Sequence, residues 1–180
     1  MKRNPAASPP YFYLGILRRQ RGEMQPALRS FEYSVTLNPS FAPGYAHMGS
    51  VLTRLGRMDE ALDKIRYAMR LSPKDPKMAI WMLFAGWAEL ERGHDEAVFE
   101  WLFQALAVNP QSPQANGILA AAHALTGDVV NAAKYAAKFR ELTPGFSDER
   151  RLGGFGATFQ SPGTPHRLVE GLSLALASSR

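Results

Sequence analysis

Four glycines and four prolines hold a fixed register along the chain: Gly22 with Pro39, Gly56 with Pro73, Gly93 with Pro110, and Gly127 with Pro144. Each pair is separated by 17 residues, and successive pairs advance by 34, 37 and 34. That period belongs to tandem helix-turn-helix arrays, whose units are too small to bury their apolar faces alone and must stack on one another. The register therefore predicts an all-α solenoid of about four repeats. Composition fits a stacked helical core, since 46% of residues are hydrophobic and Gly and Pro recur at stations instead of gathering in a linker.

Numbered so that the closing proline falls at position 32, the repeats begin near Ser8, Ala42, Ala79 and Pro113. Positions 4, 8, 15, 20, 24, 27 and 32 are Tyr11, Gly15, Gly22, Ala27, Phe31, Ser34 and Pro39 in the first repeat, and Tyr45, Gly49, Gly56, Ala61, Ile65, Ala68 and Pro73 in the second. The third carries Met82, Gly86, Gly93, Val98, Leu102, Ala105 and Pro110, the fourth Asn116, Ala120, Gly127, Ala132, Ala136, Phe139 and Pro144. Small residues let two antiparallel helices approach, so Gly15 should face Ala27 and Gly49 should face Ala61. The glycine at position 15 suits a left-handed turn, and the proline stops the second helix. Position 11 is irregular, with Arg18, Leu52, Glu89 and His123, which predicts local differences in the seam between neighbouring helices.

This pattern resembles the tetratricopeptide repeat family. The resemblance implies a right-handed α-solenoid with a C-terminal capping helix. Repeat register and composition divide the chain into a disordered segment over 1–7, a solenoid over 8–144, a Gly-, Arg- and Ser-rich loop over 145–163 where the repeat fails, and an amphipathic helix over 164–177. Three extra residues fall in Ser72-Pro73-Lys74-Asp75-Pro76-Lys77, where Asp75 and Pro76 read as an N-cap and first turn. The final helix places Leu168, Val169, Leu172, Ala175 and Leu176 on one face, after a Thr164-Pro165 capping pair.

Catalytic chemistry finds little support. There are no cysteines, which excludes thiolate ligands and cysteine nucleophiles. His47, His94, His123 and His166 never fall one helical turn apart, and His47 and His123 suit packed seams better than metal ligation. Gly153-Gly154-Phe155-Gly156 lacks the Lys-Ser or Lys-Thr of a phosphate loop. The acidic pairs Asp59-Glu60 and Asp95-Glu96 lie where second helices begin and favour the helix dipole. A non-catalytic protein without metal or cofactor is the expectation. The chain shows no membrane-spanning stretch and no apolar leader after Lys2 and Arg3, so a cytoplasmic place is expected.

The family resemblance implies that positions 2, 5, 9, 12 and 13 of each first helix line a concave groove. The groove residues are then Phe12, Ile16, Arg19 and Gln20; Ser50, Thr53 and Arg54; Ile80, Leu83, Trp87, Leu90 and Glu91; and Ala121 and Leu125. The later sets are apolar enough to need a cover. Two covers are open: an extended segment or amphipathic helix of a protein partner, or the chain's own Leu168–Leu176 helix. The clamp by which tetratricopeptide co-chaperones hold a terminal carboxylate uses Lys and Asn where Phe12 and Ile16 stand, so that clamp is not expected.

Residues 1–40 hold six Lys or Arg against Glu23 and Glu32, whereas residues 76–110 hold two against five acids. This polarity could steer a partner, although a solvated surface explains it as simply. Arg18, Arg19, Arg21 and Arg29 raise nucleic-acid binding as a weaker alternative, because the nearby aromatics occupy packing stations. The first helix has no preceding repeat, which leaves self-association open. Finally, Arg70-Leu71-Ser72-Pro73-Lys74-Asp75-Pro76 and Arg167-Leu168-Val169-Glu170-Gly171-Leu172 resemble the C-terminal repeat regions of bacterial adenylate or guanylate cyclases and winged-helix regulators. That resemblance implies a regulatory module in bacterial signalling, either a whole short protein or the C-terminal part of one whose effector lies upstream.

Overall fold

The structure is a computed structural model and describes residues 8–156 and 166–178. The expected disordered segment over 1–7 and the Thr164-Pro165 cap lie outside those residues. Eight helices form four antiparallel hairpins: α1 (Ser8–Gln20) with α2 (Met24–Leu37), α3 (Ala42–Arg54) with α4 (Met58–Leu71), α5 (Met78–Arg92) with α6 (Asp95–Val108), and α7 (Pro113–Leu125) with α8 (Val129–Leu142). Each hairpin packs on the next through its second helix, and α3, α5 and α7 also touch in sequence. The fold is all-helical among the described residues, as the repeat register requires.

The turns follow from the glycines. Gly22, Gly56, Gly93 and Gly127 all have φ between 75° and 80°, a left-handed backbone that a Cβ would strain. The prolines sit two residues past the ends of the second helices at Leu37, Leu71, Val108 and Leu142. With no amide hydrogen, each bars a further helical turn.

Closure of the hairpins differs in detail from expectation. A Cβ on Gly15 would stand 2.6 Å from the Phe31 ring, and one on Gly86 would stand 2.8 Å from Leu102. The glycine at position 8 thus makes room for the side chain at position 24, more than for the alanine at position 20. At Gly49 both matter, because a Cβ there would meet Ile65 and also the Ala61 carbonyl oxygen at 2.8 Å. In the fourth repeat position 8 gains a methyl, as Ala120, and position 24 shrinks in step to Ala136. Packing to crystal-like density leaves no slack for both to be large.

Several polar residues in the seams find partners nearby, although the buried His123 Nε2 has none among the described residues. Glu89 is buried, yet its carboxylate accepts from Arg66 at 3.2 Å, Arg92 at 3.0 Å and the His94 ring at 3.2 Å. Those partners come from α4, α5 and the turn before α6, so one acid ties two repeats together. Arg18 donates to Ser30 Oγ at 2.8 Å, and His123 lies between Phe99 and Tyr135 with Nδ1 3.1 Å from Asp128. These are the position-11 residues, and each supplies its own solution to the seam.

Two boundaries depart from the sequence reading. Asp75 does not cap the third repeat: α5 starts at Met78, and the Asp75 carboxylate accepts from the Lys77 amide at 2.9 Å in a turn that precedes it. The expected loop over 145–163 contains a helix, α9 (Asp148–Gly156), despite its three glycines. Acids in its first turn favour the dipole, and tertiary ion pairs outweigh propensity. Asp148 accepts from Arg140 at 2.8 Å and Arg151 at 3.1 Å, while Arg151 also donates to the Thr143 hydroxyl and carbonyl, both at 2.8 Å.

Candidate functional site

The first helices of the hairpins share one face, and a cavity of about 760 Å³ opens along it. Phe12, Ile16 and Arg19 of α1 line it, with Arg54 of α3 and Ile80, Leu83 and Trp87 of α5. These are seven of the fourteen residues expected at the groove. Apolar burial fixes their helices, since Phe12 packs edge-on against Phe41 and His47 at centroid distances of 5.1 Å, while Leu83 touches both halves of the core.

The other seven are placed differently. Gln20 is exposed at the end of α1 and lies off the cavity wall. Ser50 and Thr53 are buried; the Thr53 hydroxyl donates to the Gly49 carbonyl at 3.1 Å, and the Ser50 hydroxyl donates to the His47 carbonyl at 3.0 Å. Short hydroxyls in a helix turn back onto the preceding carbonyls, which takes them away from a ligand. Leu90, Glu91, Ala121 and Leu125 lie at the end of the face taken by the final helix, α10 (Arg167–Ser178).

Helix α10 packs mainly on α7, with further contacts to α5, α8 and α9. Its N-terminus meets the end of α5: Glu91 accepts from the amides of Arg167 at 3.1 Å and Leu168 at 3.3 Å, a cap supplied from a distant repeat. The Arg167 side chain donates to the Leu90 carbonyl at 2.8 Å and to Asp95 at 2.7 Å. Near the other end, the Leu176 carbonyl accepts from Arg140 of α8 at 2.7 Å, so α10 runs antiparallel to α7. Leu168, Leu172, Ala175 and Leu176 are buried, as is Gly171, whose missing Cβ lets the Ala121 carbonyl and Leu125 come close. Val169, expected on the same face, is half-buried. Helix α10 covers this face along much of α7 and at the end of α5, while the cavity stays open along α1, α3 and most of α5 and reaches Gln114 and Ile118 at the start of α7.

Sequence reasoning missed position 6. Tyr13, His47, Phe84 and Ile118 all occupy that station, and all four line the cavity. Three are apolar or aromatic, a regularity visible in the repeat alignment. Lys77 also reaches the wall from the inserted corner.

The electrostatics of the open part are one-sided. Arg54 stacks its guanidinium 4.2 Å over the Trp87 ring and donates to the Ser50 carbonyl at 2.7 Å. Arg19 crosses from α1 to donate to Ser50 Oγ at 3.1 Å. Burial, with the Arg19 charge beside it, pulls Arg54 down to about 9, and burial lowers Arg19 as well. Both remain charged at neutral pH. His47 is pulled down to about 3, chiefly by burial and then by Arg19, Lys77 and Arg54, so it stays neutral. Glu91, under α10, is pushed up by burial against the hydrogen bonds that lower it.

A tetratricopeptide repeat family model matches residues 102–145, which span the end of α6 through α8. No curated protein matches the chain in sequence. Among solved structures, the chain is similar to PilW, a widely conserved type IV pilus biogenesis factor, with a TM-score of 0.74 and 21% identity over 97% of this chain and 74% of that one. It is similar to YrrB, a tetratricopeptide protein with an unusual peptide-binding site, with a TM-score of 0.58 and 20% identity over 94% of this chain and 84% of that one. A thermophilic tetratricopeptide protein in Thermus thermophilus aligns with a TM-score of 0.68 and 18% identity, over 95% of this chain and all of the other. At these identities the likeness establishes a tetratricopeptide-type solenoid fold.

Proposed function

We propose that this solenoid is a non-catalytic scaffold that binds an extended segment of another protein in the groove of its first three repeats. The observation that carries the reading is the open cavity of about 760 Å³, walled by Phe12, Ile16, Ile80 and Leu83 and left uncovered where α10 stops. Apolar walls with a few convergent polar groups are the usual makeup of a binding site. YrrB, with its peptide-binding site, shows that a solenoid of this kind can hold a peptide.

Leu83 and Ile80 provide the test, because Ile80 is 43% exposed and Leu83 only half-buried; Leu83 also packs on the core, so a thermal melt checks that the double variant stays folded. Proteins captured by the wild type should be lost by an Ile80→Ala, Leu83→Ala double variant and kept by Val130→Ala, a change at a residue 81% exposed and off the cavity wall. Identical capture by all three proteins rejects the groove. Trp87 serves this purpose poorly, since it is 3% exposed and its removal would damage the core.

Two further readings rest on particular observations. Self-association through α1 is favoured by Tyr13 and Leu17, 64% and 53% exposed on that helix. A single monomer mass in sedimentation equilibrium at millimolar concentration rejects it. A regulatory role in bacterial signalling, beside a nucleotidyl cyclase or winged-helix effector, is favoured by the Ser72-Pro73-Lys74-Asp75-Pro76 corner, where Ser72 Oγ donates to Asp75 at 3.3 Å. Failure of such an effector domain to bind the purified chain in calorimetry removes that assignment.

A further inference from the structure

We infer that the open groove takes its segment by a carboxylate side chain, a Glu or Asp between apolar residues, seated against Arg19 and Arg54. The inference rests on the groove reading above and adds the chemistry of what is bound. Two guanidiniums from different repeats converge on Ser50, one on its hydroxyl at 3.1 Å and one on its carbonyl at 2.7 Å. Neither has a carboxylate within ion-pairing distance among the described residues. The undescribed residues 1–7, 157–165 and 179–180 contain no Asp or Glu side chain.

The donors are also underused. Arg54 Nε is buried without a partner, and so is His47 Nδ1 in the same wall. A guanidinium carries five N–H donors, and leaving them unpaired in a site shielded from water costs more than at a surface. Other buried charges of this fold are matched: Glu89 meets Arg66, Arg92 and His94, and Arg151 meets Asp148. The corner is therefore an exception to the way this chain treats its own charges, and a ligand anion would remove it.

A carboxylate suits the place better than a phosphoryl group. One face of the Arg54 guanidinium is occupied by Trp87, so a ligand reaches it edge-on, beside a wall that is mostly apolar. A planar monoanion can use two N–H donors in fork geometry, whereas a phosphoryl dianion asks for more. The remaining wall is Phe12, Ile16, Ile80 and Leu83, which calls for apolar neighbours on either side of the acid. The positions differ from the co-chaperone clamp, whose first two places are Phe12 and Ile16 here.

The experiment titrates the whole protein with two end-blocked pentapeptide pools, each a mixture of Leu and Phe at the outer positions with Glu or Gln at the centre, and with inorganic phosphate. Calorimetry gives affinity, and the arginine Nε–H NMR signals report where binding occurs. The Glu pool should bind at least about tenfold more tightly than the Gln pool, the scale of a charge-assisted hydrogen-bonded pair, and should shift the Arg54 Nε–H resonance. Arg54→Gln should reduce that preference to below about threefold, with a thermal melt confirming that the variant folds.

Equal binding of the two pools overturns the carboxylate inference and leaves the groove reading standing. Phosphate binding as tightly as the Glu pool overturns it in favour of a phosphoryl source. If neither pool binds, the inference fails, and the Leu83 capture experiment then decides whether the groove reading fails with it.

Discussion

His47 gives a stability prediction with its size set by the structure. The ring is 9% exposed, packed among Phe12, Phe31 and Phe84 at centroid distances of 5.1 to 5.6 Å, and faced by Arg19 from α1, Arg54 from α3 and Lys77 from the corner before α5. Protonation there would bury a charge beside three others of the same sign, which is why the folded value falls from 6.5 to about 3. In the unfolded chain the same imidazole takes up a proton below 6.5. The unfolded state thus binds more protons between pH 6.5 and 3, and stability is lost as pH falls through that window. At pH 5 the loss from this group is about 2 kcal/mol, and almost nothing at pH 7.5.

Urea unfolding at pH 7.5 and 5.0, on wild type and His47→Leu, isolates the effect because every other titrating group is common to both proteins. The wild type should lose about 2 kcal/mol more than the variant between the two pH values. An equal loss in both would mean that His47 titrates normally in the folded state, and that the cationic wall around it is not as dry or as close as described.

Four changes at glycines separate steric from conformational roles. Gly49→Ala should cost about 1–3 kcal/mol by thermal unfolding, because its Cβ would meet the Ala61 carbonyl at 2.8 Å, and Gly86→Ala should cost a comparable amount, since its Cβ would meet Leu102 Cδ2 at 2.8 Å and Cγ at 2.9 Å. Gly56→Ala should cost about 1–2 kcal/mol from its φ of 75° alone, with no atom within 4 Å of the new methyl and with Asn tolerated better. Gly171→Val should lift α10 from the Ala121 carbonyl and Leu125, red-shifting tryptophan emission and raising dye binding as Leu168 and Leu172 are uncovered; native emission in the folded variant would contradict self-coverage.

The repeat frame was legible because its signals are local and reinforce one another. Gly22 and its three counterparts need a positive φ whatever surrounds them, and a proline two residues past a helix acts on its own chain. First helices accordingly begin at Ser8, Ala42, Met78 and Pro113, at or one residue from the repeat starts read in sequence. Elements decided by distant partners were not legible. Helix α9 depends on Arg140 and Arg151 meeting Asp148, which overrode the glycines, and the Asp75 turn depends on how the inserted corner folds back. At the groove, the stations gave Phe12, Ile16, Leu83 and Trp87, but occupancy by α10 decided the fate of Leu90, Glu91, Ala121 and Leu125. Position 6 carries its signal in the recurrence of Tyr13, Phe84 and Ile118, which the family's groove stations do not include.

Charge explains why the chain covers one half of its groove and not the other. The acidic middle, which sequence alone could treat as a solvated surface, supplies Glu91 and Asp95, and these hold the amides and guanidinium at the start of α10. Apolar burial of Leu168, Leu172 and Leu176 is non-directional and would favour several sites along the solenoid; Arg167 between Leu90 and Asp95 selects this one. The same helix is a poor match for the basic half, because Arg167 would meet Arg19 and Arg54 there, and Glu170 is the single acid in α10. A tail of reversed polarity would dock over the first repeats instead. Docked where it is, α10 leaves Arg19 and Arg54 without an Asp or Glu partner among the described residues, which is the place the proposed acidic segment would fill.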